Sequence, residues 1–261
     1  MTVANAAAQV GAAAPNLPLA HTTRWNDFEE MLSSNWVDVL SRCPRNGSPT
    51  CYFFYGFPAY ILPLRHSHQI SVTEADEHPV GLIFDHNAAS ANADVYPFDT
   101  GALRKGQYEP YFVRTEILDD FVVETDKAQE SAAKLVTIFF GSNSHYATGP
   151  GTADPDLRNR YPVVDRVATL HSAKIKADVR RRAIEVMIKG KVAIGPYLRA
   201  VIVPGDHFHE RRNHVPRLEE LHSDGQVEVI EYPVQYPFSP ESDSAVILRE
   251  GLRYLKAKGL V

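Results

Sequence analysis

The feature that most constrains this fold is the length and order of its apolar runs. Six short stretches, LPLAHTT (17–23), TCYFFYG (50–56), PVGLIFD (79–85), RRAIEVMI (181–188), LRAVIVP (198–204) and QVEVIEY (226–232), are bounded by polar or turn-forming residues. Runs of this kind read as strands, and AYILPL (59–64) extends the second beyond Pro58. Other segments repeat apolar residues every three or four positions and read as helices: Trp25 to about Arg42, much of 115–140, about Val163 to Lys176, most of 206–225, and 241–258. The alternation has no fixed period, and no glycine fingerprint joins a strand to a helix. These features predict an α+β fold with a mixed sheet and exclude a P-loop or a dinucleotide-binding Rossmann unit.

Residues 86–110 and 142–160 show little periodicity and are expected to be long loops, the natural place for specificity over a rigid scaffold. The Ala-rich residues 1–16 lack the basic start and continuous apolar core of a secretory signal and are expected to form a flexible leader with some helical tendency. Residues 17–261 then make a single domain. No apolar run approaches the ~20 residues of a membrane span. The net charge of −5 gives no global pull toward nucleic acid. The two cysteines, Cys43 and Cys51, cannot build a disulfide framework or a four-thiolate zinc site, and they suit a reducing cytoplasm.

Chemistry is concentrated in three places. In Ala183–Ile188, alternation puts Ile184, Val186 and Ile188 on one face and Glu185 with Ala183 and Met187 on the other. Such a carboxylate lies either on the open face of an edge strand or in a cleft, where it can orient a hydroxyl or stabilise a cation. His21 ends the first strand ahead of Thr22 and Thr23, where imidazole and hydroxyl groups suit a ribose or, for Thr23, a helix cap. The aromatic run Tyr52–Tyr60 is broken by Gly56 and Pro58, which leaves Tyr55 and Tyr60 either in the core or against a planar ring.

In this order, a His-Thr-Thr segment before an amphipathic helix, an aromatic segment running through glycine and proline to tyrosine, and a late hydrophobic strand carrying Glu resemble the ADP-ribosyltransferase superfamily. Within it, the resemblance over roughly residues 17–204 is to the bacterial toxin transferases that modify DNA bases. It implies a split mixed sheet of ADP-ribosyltransferase type that binds NAD as substrate, and a transferase or NAD glycohydrolase that cleaves the nicotinamide–ribose bond. Glu185 would be the catalytic carboxylate, His21 and Thr23 would hold a ribose, and Tyr55 or Tyr60 would stack on nicotinamide. No metal would be needed. The acceptor would be water, a nucleic acid or a protein, with an antitoxin-like partner restraining the activity. Where these transferases carry an Arg in the aromatic segment, this chain has Phe57, and Arg65 is the nearest substitute.

Other chemistries fit the sequence less well. His66 with His68, or His207 with His209, have the spacing of metal ligands for a hydrolase, although a helical i, i+2 pair diverges. Asp178 and Glu185 hint at a nuclease, but Met187 stands where that chemistry needs Lys, and Lys189 comes two positions late. Neither cysteine has a base near it in sequence. A non-catalytic nucleotide-binding module is the remaining alternative. The basic runs Arg180–Arg182 and Arg211–Arg212 read as solvated faces or phosphate contacts.

Overall fold

The computed structural model describes residues 1–13, 15–37, 41–43, 47–61, 74–89, 92–149, 151–173, 179–234 and 240–261. Its strands are β1 (Leu19–Arg24), β2 (Trp36–Val37), β3 (Ser41–Arg42), β4 (Pro49–Tyr55), β5 (Pro79–Phe84), β6 (Ala93–Tyr96), β7 (Val123–Thr125), β8 (Glu185–Lys189), β9 (Val192–Ala193), β10 (Leu198–Pro204) and β11 (Glu228–Tyr232). Among the described residues, nine form one sheet in the order β11–β10–β5–β1–β4–β8–β6–β7, with β3 on β4, and β2 pairs with β9. Among the described residues only β10 and β11 pair in parallel, so the sheet is mixed and the fold is α+β, as the irregular alternation predicts.

Helices cover the sheet where its apolar side chains require it. The helix Ala128–Phe140, buried along most of its length, packs on β6 and β7, and Trp25–Ser34 packs on β1 and β5. The C-terminal helix Pro240–Ala257 lies over β5, β10 and β11 and closes a small separate core of Ile83, Ala200, Ile202, Tyr232, Val246 and Ile247. Gly81 permits this close approach, since a Cβ there would stand 2.8 Å from Ile247 Cγ2.

Several expectations need correction. The helix starting at Trp25 stops at Ser34, because Asn35 takes a left-handed conformation (φ 61°) and Trp36–Val37 pairs with β9. Residues 86–110 are not a loop: they contain β6, which lies inside the sheet, and the helix Thr100–Arg104. All four residues of β6 are buried, so it offers no alternation to read. Residues 142–160 hold two short helices, Asn143–Thr148 and Pro155–Arg160, capped by the Ser142 and Asp154 side chains. In the 115–140 segment, β7 precedes the helix. The helix beginning near Val163 runs Pro162–Ser172, and residues 174–178 lie outside the described residues. Residues 59–61 do not extend β4, and 62–64 lie outside the described residues.

The N-terminal residues are docked rather than loose. Thr2 forms a capping box with Asn5, and the helix Val3–Ala7 buries Val3, Ala6 and Ala7 against Ala128–Phe140. Alanine makes this possible, because small side chains let two helices approach closely. The Ala13 N–H also donates to the Ala133 carbonyl.

Candidate active site

The sheet opens beside β1. On its β5 side, β1 pairs at six successive positions, from Leu19 with Phe84 to Arg24 with Pro79. On its β4 side it pairs at only two, Leu19 with Tyr55 and Ala20 with Phe54. Beyond Ala20 a side chain replaces the ladder: His21 Nδ1 lies 2.7 Å from the Tyr52 carbonyl oxygen, and the imidazole rests 5.5 Å from the Phe53 ring. A carbonyl only accepts, so Nδ1 carries the proton, and burial holds the ring below its ordinary pKa. His21 is therefore neutral, with Nε2 left as an acceptor that has no partner among the described residues.

Glu185 begins β8, opposite Phe54 on β4 and Tyr96 on β6. It is thus inside the sheet and 2% exposed, which overturns the open edge-strand alternative. Its backbone is set by Tyr146. The Tyr55 N–H donates to the Ile184 carbonyl (2.9 Å), after which the Tyr146 hydroxyl accepts from the Ile184 N–H (3.0 Å) and donates to the Tyr55 carbonyl (2.8 Å). One buried hydroxyl so completes the β4–β8 ladder where the strands end.

The Glu185 carboxylate is clamped from the other side. Its Oε2 accepts from the Thr100 hydroxyl (2.7 Å) and the Thr100 N–H (3.1 Å), whereas Oε1 has no partner among the described residues. Asp99 caps the same helix by accepting from the Ala102 N–H (2.9 Å), and its carboxylate stands 3.9 Å from Arg180 Nε. The preceding turn is held by His171, whose Nε2 donates to the Pro97 carbonyl at 2.9 Å. Burial above all, and then the negative Asp99, push Glu185 well above the ordinary carboxylate range; the two hydrogen bonds from Thr100 pull it part of the way back.

Tyr60 and Tyr52 belong to this group. Burial raises the Tyr60 phenol, Asp99 and Glu185 add to the rise, and Arg180 and Arg24 oppose it. Tyr52, on the Glu185 face of β4, is raised by burial and then by Glu185. Glu185, Tyr60 and Tyr52 therefore lie near one another, and His21 reaches this group only through the Tyr52 carbonyl. By alternation, however, His21 starts on the Phe53 face of the sheet and Glu185 on the opposite one.

Tyr55 does not join them. It is fully buried, its hydroxyl accepts from the Leu17 N–H (2.9 Å), and burial pushes it up to about 12, so no ring face is open for stacking. Thr23 is buried in β1 opposite Val80. Its neighbour Thr22 shares the Glu185 face, and its buried hydroxyl has no partner among the described residues. Phe57 is buried against Tyr146, with ring centroids 4.9 Å apart, and Arg65 lies outside the described residues. Sequence reasoning missed Thr22, Asp99 and Thr100. Thr22 shares the Glu185 face only through the β8–β4 and β4–β1 pairings, which the sequence does not display, whereas Asp-Thr ahead of Gly-Ala-Leu is a helix-start signal.

No family model and no curated protein matches the chain. Solved structures of a DarT from Thermus sp. 2.9 do. In complex with ADP-ribosylated ssDNA, that protein is 9% identical over 85% of this chain and 98% of its own, at a TM-score of 0.44. In complex with NAD+ the figures are 9%, 84%, 97% and 0.44, and with carba-NAD+ 10%, 83%, 96% and 0.42.

The alternative chemistries find less in the structure. His207 packs its ring edge-on to Trp25 (4.6 Å), while His209 turns to Glu231 (3.1 Å), so the two diverge. His66, His68 and Asp178 lie outside the described residues, among which no three His, Cys, Asp or Glu side chains gather as a metal site. Both cysteines are buried. Arg180–Arg182 is not a solvated face: Arg180 faces Asp99, Arg181 donates to the His171 carbonyl and Arg182 to the Gly149 carbonyl; in the second run Arg211 pairs with Asp76 and Glu29, while Arg212 is exposed and pairs with Glu219.

Proposed function

We propose that this protein is an NAD-consuming ADP-ribosyltransferase or glycohydrolase, with the opening between β1 and β4 as its substrate site and Glu185 as its catalytic carboxylate. The observation that carries the reading is the clamped, deeply buried Glu185 beside a sheet that parts at a neutral His21. The residues fit NAD. The His21 Nε2 lone pair suits a ribose hydroxyl, the half-buried Tyr60 offers a ring for nicotinamide, and Thr22 supplies a buried hydroxyl in place of the expected Thr23. Tyr55 has a packing role.

The reaction follows from these groups. The bond from ribose C1′ to the nicotinamide nitrogen breaks, its electron pair leaves with nicotinamide, and positive charge develops on the ribose ring. Glu185 accepts a hydrogen bond from the 2′-hydroxyl and faces that charge in a site of low dielectric, where the interaction is strongest. The positively charged nicotinamide ring of NAD also draws the raised carboxyl back toward its ionised form. The acceptor then bonds to C1′ and loses a proton. Water makes the protein a glycohydrolase; a nucleic-acid base, favoured by the sequence resemblance, makes it a transferase of toxin type, for which an antitoxin-like partner is expected.

The test is nicotinamide release from NAD by the wild-type chain and by Glu185→Gln, with folding checked by circular dichroism. Loss of the carboxylate is expected to lower release about 100-fold or more. Equal rates would remove Glu185 from the mechanism. NAD binding without release by the wild-type chain would leave only the non-catalytic module.

A further inference from the structure

We propose that Thr100 is a positioning residue for Glu185, turning Oε2 away and presenting Oε1 to the opening, with Asp99 and Arg180 holding Thr100 in place; the proposal rests on the reading of Glu185 as the NAD-cleaving carboxylate. A Glu carboxylate rotates almost freely about its last bond, so an unanchored one spends little time in any single orientation. Here both donors of one residue converge on one oxygen, the hydroxyl at 2.7 Å and the amide at 3.1 Å. Thr100 is fully buried, so water does not compete for its hydroxyl.

The residues behind it make the clamp rigid. The Asp99 N–H donates to the Arg180 carbonyl (3.2 Å), the Asp99 carboxylate receives the Ala102 N–H, and the Arg180 guanidinium faces that carboxylate. Arg180 also lies five residues ahead of Glu185 in the chain, so the segment that leads into the catalytic strand is tied to the turn that orients its carboxylate. A merely structural role, in which Glu185 caps the helix Thr100–Arg104, would appear in stability and not in the pH dependence of turnover.

The experiment measures nicotinamide release against pH for the full chain as wild type, Thr100→Val, Thr100→Ser and Glu185→Gln. Thr100→Val removes one hydrogen bond at constant shape. It is expected to lower kcat about tenfold while KM for NAD changes less than about twofold. The acid limb of its profile moves to higher pH, because the lost bond favoured the charged carboxylate. Thr100→Ser restores both. Should Thr100→Val not fold, Thr100→Ala carries the same expectation with less crowding. Wild-type kcat with an unmoved acid limb in a folded Thr100→Val or Thr100→Ala chain would overturn the proposal, and so would a loss that Thr100→Ser does not repair. Failure of the parent reading looks different: Glu185→Gln then turns over like the wild type, or the wild type releases no nicotinamide.

Discussion

On one flank, β1 meets β5, in which every residue is buried, and it zips for six positions; on the other it meets only the aromatic end of β4, Tyr55 and Phe54, and zips for two. The same six residues therefore make a wall and an opening. Unpaired backbone groups inside a protein are costly, so an opening persists only where something else satisfies them. Here His21 takes one carbonyl and Tyr146 mends the ladder at the closed end. The contrast teaches that side chains bonded to backbone bound the short β1–β4 pairing, His21 where it stops and Tyr146 at its closed end.

Breaking the closed end should have the largest effect. Tyr146→Phe keeps the ring but strands the Ile184 N–H and the Tyr55 carbonyl, both buried. It should cost about 1–3 kcal/mol in urea unfolding, with loss of nicotinamide release because Glu185 is the next residue. A cost below about 0.5 kcal/mol would mean that the hydroxyl does not carry the ladder.

The carboxylate gives a second, pH-dependent effect. A group whose folded pKa is raised contributes stability that is present below its unfolded value and is lost as pH rises through the folded one. Glu185 is such a group, and Gln does not titrate. The Tm of Glu185→Gln should therefore rise relative to wild type between pH 5 and pH 8, even as activity falls. A constant difference would show that Glu185 is ionised without penalty in the free protein.

The two flanks can then be separated directly. His21→Ala should weaken NAD binding about tenfold by calorimetry, roughly 1.4 kcal/mol. Leu82→Val, opposite His21 on the zipped side, should lower stability by about 1 kcal/mol and leave NAD affinity within twofold. Equal effects on affinity would erase the distinction between the flanks.

How much of this was legible depended on whether a residue's partner lay nearby in the chain. β4, β5, β10 and β11 could be read because their apolar runs stand between turn formers. β6 could not, since four buried residues carry no period. Glu185 stood out as a lone carboxylate in an apolar strand and Tyr60 follows a break in strand pattern, whereas His21, expected at a strand end, is the third of six residues in β1. Thr100 did not stand out, because its partner is 85 residues away and only the β6–β8 pairing brings them together. Tyr55 is held in the core by a partner equally hidden from the sequence, since its hydroxyl takes the Leu17 N–H from 38 residues away.

The most direct test of the central claim is a crystal structure of the Glu185→Gln chain soaked with NAD. The account predicts the nicotinamide ribose between β1 and β4, its hydroxyls within hydrogen-bond distance of His21 Nε2 and of the side chain at position 185, with the nicotinamide against Tyr60. NAD bound elsewhere, with the opening unoccupied, would contradict it.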